Sequence, residues 1–482
     1  MSGAQGNIMV PIAMFGWIPF VILLFKKFEA RLAVVIAFVS GWMFLPVASF
    51  KFPVLPDYTK TSATCVGILA GAWLFDKARF SSFTFNSLDI PMVLWCIAPF
   101  FSSVFNGLGA YDGFSAAFAQ SVTWGLPYYI ARIYFCDTRS LWLLAMAIFI
   151  GAIVYIPFCW FELIMSPQLH RITYGYHQHN FLQTMRDGGG FRPMVYMDHG
   201  LMTSMWMVLG VFLGTWLLII KELPPKILRL PSRYLLGLLF LTTLMMQSMG
   251  AITLLLIGLA VMVISTRGKS AIPVIILLSV PTLYAYTRST GIWDGRNLSG
   301  FVEEKFSATR AQSLQFRFDN EAILIDKAMQ GTFFGWGGYG RSRVHNDKGK
   351  DISVTDGLWI IVLGTSGIYG LATLTIAVQL PVLLFTMRIK PERWKEKRMA
   401  APAVMAIYLS IYMIDNLLNA MINPIYMLFC GGLTSMLIHQ PAYATNTLDE
   451  HDSSTSHHLY PEPLSATRYI TATCQIPSRF IS

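Results

Sequence analysis

Long apolar runs separated by short polar breaks fill most of this chain, and the pattern fails in one place. Thirteen runs predict membrane-crossing helices: 8–25, 32–50, 62–75, 89–105, 113–131, 140–160, 197–220, 234–248, 250–266, 271–286, 357–387, 400–416 and 424–439. A span needs about 20 apolar residues. The third, eighth and ninth runs are short or poorly separated, so twelve to fourteen spans are expected. The run 357–387 is too long for one straight span. Gly364-Thr365-Ser366-Gly367 is predicted to divide it into a short helix returning to the membrane and a full span. The exception to the pattern is 287–356, about 70 residues that are polar and dense in arginine and glycine.

The pattern predicts an all-α polytopic integral membrane protein with one large outer loop. Its parts are N-terminal membrane helices in 1–160, an outer loop in 161–196 and further membrane helices in 197–286. The large loop of 287–356 follows, then C-terminal helices in 357–439 and a polar tail in 440–482, expected to be disordered and cytoplasmic.

Composition supports this class. Hydrophobic residues make up 54% of 482 and charged residues 13%, against about 25% charged in soluble domains. Charge also orients the chain. Lys26, Lys27, Arg31, Lys77, Arg79, Arg132, Arg139, Lys221, Lys226, Arg229, Arg233, Arg267, Lys269 and the cluster from Arg388 to Arg398 fall in one alternating set of loops. The opposite short loops hold only Lys51 and Lys60. The first set is therefore expected to be cytoplasmic, which places the N-terminus and both arginine-bearing loops outside. No basic n-region precedes Ile8, so the first run does not read as a cleaved signal. The net charge of +10 reflects this anchoring together with the outer loop. Nucleic-acid binding is a poor reading, because no basic patch with interleaved aromatics sits on a soluble fold.

The spans are nearly free of charge, with Asp198, His199 and Asp415 near outer ends. No ionisable chain crosses the membrane and the two halves show no clear repeat, which weakens a transporter. Six scattered cysteines, Cys65, Cys96, Cys136, Cys159, Cys430 and Cys474, match no metal or redox spacing. His170, His177 and His179 fit no standard metal site either.

The candidate chemistry lies in the two outer loops. The first runs Asp187-Gly188-Gly189-Gly190-Phe191-Arg192 and then enters a span at Asp198-His199-Gly200. Its glycines let backbone approach a ligand closely. The second carries Arg310 and Arg317, seven apart and so on one face of a predicted helix, whose apolar positions are Phe316, Ile323, Leu324 and Ala328. Arginine suits pyrophosphate, because its planar fork makes two parallel charge-assisted bonds. Phe334-Gly335-Trp336-Gly337-Gly338-Tyr339-Gly340 predicts a tight turn; with no strand before it, it does not fit a nucleotide fold. His345 and Asp356 are both candidate bases. His345 also reads as an ordinary surface residue, and Asp356 as a cap for the helix that follows.

In sequence, Arg317 is followed by Phe334-Gly335-Trp336-Gly337, then Asp356-Gly357-Leu358-Trp359-Ile360, then Gly364-Thr365-Ser366-Gly367-Ile368-Tyr369-Gly370. This order resembles the O-antigen ligase and O-antigen polymerase superfamily. Arg192 with Asp198-His199 is similar to that family's other arginine loop. The resemblance covers roughly 190–390 and rests on short motifs.

It implies a metal-independent, inverting glycosyltransferase of bacterial surface-polysaccharide assembly, acting at the outer face of the inner membrane without a cofactor. The donor would be a glycan on a polyprenyl pyrophosphate such as undecaprenyl pyrophosphate. The acceptor would be a glycan or lipid, and other assembly proteins are possible partners. By this resemblance Arg317, Asp356 and His345 would be catalytic. Arg192, Arg310, His199, Gly335, Gly337 and Gly340 would bind substrate. Ligases of the group tend to carry histidine where Asp356 stands here, which tilts the expectation toward a polymerase. The rival readings are a lipid-linked-sugar flippase, which leaves the arginine-rich loop unexplained, and an envelope scaffold, for which the arginines would be dispensable.

Overall fold

The computed structural model describes residues 6–52, 56–186, 189–227, 229–305 and 308–439. The expected tail, Cys474, and Asp187-Gly188 of the glycine turn lie outside the described residues.

The described chain is mostly helical, with almost no strand. It opens with α1 (Met9–Lys27), α2 (Ala30–Phe44), α3 (Lys60–Phe75), the short α4 (Lys77–Ser81) and α5 (Ile90–Phe105). Next come α6 (Ala110–Gln120), α7 (Leu126–Tyr134), α8 (Thr138–Met165), the short α9 (Leu169–Tyr174) and α10 (Gly200–Ile219). A small antiparallel hairpin, with Ile227 opposite Leu230, leads into α11 (Ser232–Met245), α12 (Met249–Gly268) and α13 (Ile272–Ser289). Two polar helices, α14 (Arg296–Lys305) and α15 (Ala308–Met329), precede α16 (Leu358–Arg388), α17 (Ala400–Leu418) and α18 (Pro424–His439).

Each of the thirteen apolar runs contains a helix, though 32–50 leaves its helix at Phe44. Among the described residues, eight helices are long and apolar enough to cross a membrane, and α2, α3, α11 and α18 are shorter apolar helices. The run 113–131 falls on α6 and α7, joined by a π-helical segment at Ser121–Gly125. Caps fit the sequence locally: Thr59 with Ser62 opens α3, and Asp137 with Ser140 opens α8, each as a reciprocal capping box. Helices pack through small residues, as expected where lipid removes the hydrophobic drive between them. A Cβ on Gly210 of α10 would come within 2.4 Å of Ala152, and one on Gly214 within 2.4 Å of Phe149, both on α8.

Two sets of loops gather at opposite ends. At one end Lys60 pairs with Asp198 (3.6 Å), the Val47 amide donates to His170 Nε2 (3.2 Å), and Asn106 donates to the Gly335 carbonyl (2.8 Å). At the other, Arg31 pairs with Asp137 (2.9 Å), Lys397 with Glu222 (3.1 Å) and Lys269 with Glu392 (3.8 Å). The second end is the one rich in lysine and arginine. Arg132, assigned by sequence to that surface, is instead buried, with Nε 2.7 Å from Asp89. The pair is completed by Tyr128, whose hydroxyl donates to Asp89 (2.8 Å).

The break foreseen in α16 is at Gly367, whose φ of +66° and ψ of −164° are not helical. The glycine turn fills the gap. Trp336 and Gly337 amides donate to the Gly364 and Thr365 carbonyls, and Ile368 and Tyr369 amides donate to the Thr332 and Phe333 carbonyls (2.9–3.1 Å). The turn thus supplies partners to backbone groups that the kink leaves without helical ones.

Helix α15 docks at the first end on a face anticipated in part, with Leu324 and Ala328 buried. Phe316 and Ile323 are exposed, at 53% and 39%. The buried face carries Phe318, Asn320, Glu321, Leu324, Ile325 and Ala328. Leu324, Ile325 and Ala328 pack with Trp359, Ile360, Leu363 and Leu417. Glu321 overrides apolar patterning because it is fully partnered. It pairs with Arg288 (3.1 Å) and accepts from Tyr284 (2.8 Å) and Trp359 Nε1 (3.1 Å). Arg288 also donates to the Phe318 carbonyl (2.7 Å).

Candidate functional site

Arg317 lies one helical turn before Glu321, so the buried anchor of α15 fixes where it points. Its Nη1 donates to the Leu418 carbonyl at the end of α17 (2.9 Å) and to Asn419 Oδ1 (3.2 Å). Its Nε is 3.6 Å from Asp356 Oδ2. Asn419 turns its amide to Asp415 Oδ1 (2.8 Å), which links a second carboxylate to the arginine. Asp356 is therefore Arg317's partner and not a helix cap: the cap position of α16 is Gly357, with no side-chain cap bond.

The first outer loop forms a tight hairpin. Met185 bridges Phe191, the Arg192 amide donates to the Thr184 carbonyl (2.7 Å), and Gly189 and Gly190 take positive φ in the turn. The hairpin sets Arg186 and Arg192 on either side of the turn. Beyond it the chain is pinned by Glu162, which is 1% exposed at the end of α8. Glu162 accepts from the Met194 and Val195 amides (2.8 Å each) and from Leu169 (3.0 Å). Those bonds hold Val195 at a φ of +55°, unusual for a β-branched residue.

These two segments converge. Burial, then the like charges of Arg186, Arg317 and Arg310, lower the Arg192 guanidinium to about 9. It stays protonated at neutral pH. Its Nε is buried without a hydrogen-bond partner. Arg310 is exposed at the start of α15. So Arg310 and Arg317 lie within electrostatic reach of Arg192, as does Arg186, which the sequence reading missed. The missed signal was symmetry: Arg186 and Arg192 bracket the same glycine turn.

His199 sits at the edge of this cluster and opens α10. Its Nδ1 accepts from the Leu201 amide (3.0 Å), so the ring proton is on Nε2, which faces Gln183 Oε1 at 3.4 Å. Its ring meets His179 edge-on at 4.5 Å. Burial first, then His179, Arg192, Arg317 and Arg186, lower its pKa to about 3. His199 is thus a neutral donor near three arginines. Asp198 turns elsewhere, to Lys60.

The remaining candidates are placed apart by their contacts. His345 is exposed on a small hairpin opposite Asp351, and among the described residues no hydrogen bond or ion pair joins it to Arg317 or Asp356. Gly335 is accounted for by packing: at a φ of +67°, a Cβ there would lie 2.5 Å from the Ser366 amide nitrogen. Gly337 completes the same clasp on α16. Gly340 belongs to the next turn, where Tyr339 donates to Asp112 (2.9 Å) and Arg341 to the Asn106 carbonyl (3.1 Å). Of the histidine trio, His170 bonds through both nitrogens to loop backbone, at Val47 and Tyr176. Among the described residues no group of three His, Cys, Asp or Glu side chains is arranged to hold a metal ion.

Chemically, the arrangement suits an anion: Arg186, Arg192 and Arg317 act on the His199 cap of a 20-residue helix, and the Asp356 carboxylate lies at the margin. Fold and site together define an all-α, multi-pass membrane protein with an arginine cluster at one end of its helices. No protein-family model matches the chain, and no curated protein is similar to it.

Proposed function

We propose that this protein is a glycosyltransferase of the O-antigen polymerase and ligase type, acting on polyprenyl-pyrophosphate-linked glycan at the outer face of a bacterial inner membrane. The observation that carries this reading is the convergence of Arg192, Arg310 and Arg317 with Arg186. The lysine- and arginine-rich end is cytoplasmic by the positive-inside rule, which puts the cluster on the periplasmic side.

An acceptor hydroxyl attacks the anomeric carbon of the donor. The bond from that carbon to the pyrophosphate oxygen breaks, and its electron pair leaves with the pyrophosphate. The hydroxyl proton passes to Asp356. Arginines fixed before the reaction stabilise charge that grows on the leaving group, so they favour the transition state over the ground state. Arg192 keeps its Nε unpartnered for that purpose. Asp356 gains freedom to accept the proton when pyrophosphate replaces it beside Arg317. His345, exposed and remote in its contacts, takes no part.

The test uses purified protein in liposomes with a polyprenyl-pyrophosphate-linked oligosaccharide. Release of polyprenyl pyrophosphate together with a glycan of changed size or attachment is expected from wild type and not from Arg317→Ala. Equal release by both would sink the assignment.

A further inference from the structure

A cavity lies against the glycine clasp on α16, lined by Gly337, Thr365 and Ser366 among others. It lies between α5, the α6–α7 run and the start of α16, with room for about 200 Å³. That is smaller than the ~300–1,000 Å³ of a drug-sized ligand site and suits a single ring. Its lining also includes Gly338, Leu358 and Ile422. Leu358 is two residues from Asp356, and Ile422 three from Asn419, which holds Arg317. The lining therefore comes within three residues, along the chain, of two of Arg317's partners, and it draws on different helices from Arg192.

Its lining mixes two chemistries. Trp95 and Trp124 meet edge-on at 5.5 Å and form an aromatic wall. Ser103 and Gln120 also line it, and among the described residues neither side chain makes a hydrogen bond. Trp95 is 3% exposed and its Nε1 is buried without an acceptor. A π-helical segment, an irregularity frequent at functional sites, supplies Trp124.

We propose that this cavity is a saccharide subsite that receives the terminal ring of the acceptor. A pyranose has an apolar C–H face for an indole and a rim of hydroxyls for amide and hydroxyl groups. An isoprenoid or acyl chain would satisfy the wall but leave the polar groups buried and unpartnered, which is costly. The ring's free hydroxyl would then lie at the Leu358 end of the cavity, the part of the lining nearest Asp356 along the chain. The assignment of an acceptor rests on the glycosyl-transfer reading; the binding of a sugar ring does not.

The test is photolabelling of the full-length protein in lipid nanodiscs. The probes are diazirine-bearing methyl glycosides of glucose, galactose and N-acetylglucosamine, and a diazirine-bearing isoprenoid alcohol, with labelled peptides located by mass spectrometry. A glycoside is expected to label peptides containing Ser103 or Gln120, and the unmodified glycoside should compete. Ala116→Phe, which fills the cavity, should abolish that label at an unchanged unfolding midpoint. Gln120→Ala should weaken competition about fivefold, as one hydrogen bond predicts. Arg317→Ala should keep the label, so loss of the transfer reading and loss of this one are told apart. No glycoside label, a label unchanged in Ala116→Phe and Gln120→Ala, or labelling of these peptides by the isoprenoid probe alone would overturn the proposal.

Discussion

Arg192 lies across Gly200, its Cγ and Cδ each 2.6 Å from where a Cβ on that glycine would sit. The first residue of α10 is thus a seat for the guanidinium stem. Gly200→Ala is expected to displace Arg192 while costing little stability, because alanine favours a helix. Donor affinity should fall about tenfold with the unfolding midpoint within about 2 °C of wild type. Unchanged affinity would show that Arg192 does not need this seat.

Arg317 is held at three points and still has to recognise a planar, multiply charged group. Arg317→Lys keeps the charge and loses the fork, so transfer should fall about 100-fold or more. A lysine variant near wild-type activity would reduce the role of Arg317 to charge alone.

Glu321 tests whether the anchor below Arg317 matters. Glu321→Ala leaves Arg288 buried without its carboxylate and should destabilise the protein by about 3–5 kcal/mol. Replacing both partners together, Arg288→Met with Glu321→Leu, should recover at least half of the lost midpoint in thermal unfolding. Transfer should remain impaired in the double variant, since α15 then lacks the bonds that orient Arg317. Full activity there would detach the anchor from function.

Gly335→Ala separates a packing role from ligand contact. The positive φ and the 2.5 Å approach to the Ser366 nitrogen predict a loss of about 1–3 kcal/mol or more. Lowered stability with unaltered donor affinity is the expected pairing. The opposite pairing would return this glycine to the binding site.

The depressed pKa of His199 has a sign that can be read. The folded protein keeps this ring neutral down to about pH 3, against an ordinary value of 6.5. Between those values the unfolded chain binds more protons, so stability falls as pH drops through that window and levels off below it. His199→Asn retains an acceptor for the Leu201 amide without the titration. Its unfolding midpoint should decline less than wild type between pH 7 and pH 4. Identical declines would remove His199 as a source, leaving groups such as His170, which burial also lowers to about 4.

The helices were legible because each apolar run is a local pattern, and the break at Gly367 was legible because glycine disrupts a helix. What occupies the break was not, since Thr332–Gly337 sit far from it along the chain. The face of α15 was legible only at Leu324 and Ala328, for a related reason. Phe316 and Ile323 look like core, but the buried positions include Asn320 and Glu321, whose partners lie on other elements. Arg192 and Arg317 were each visible as candidates. That a 20-residue helix start, a glycine hairpin and a docked polar helix would put them together is tertiary information. Arg186 went unnoticed because a single arginine in a loop has many ordinary uses.

The clasp on α16 also bears on how the chain is built. A broken helix in a bilayer exposes backbone groups that lipid cannot satisfy. Here the segment that satisfies them is synthesised before the helix that needs it, and in the proposed orientation it has already crossed the membrane. The chain therefore threads its own keystone first. A rearranged chain with 332–337 placed after α16 would keep every contact in principle, yet insert its most vulnerable helix with nothing waiting to receive it.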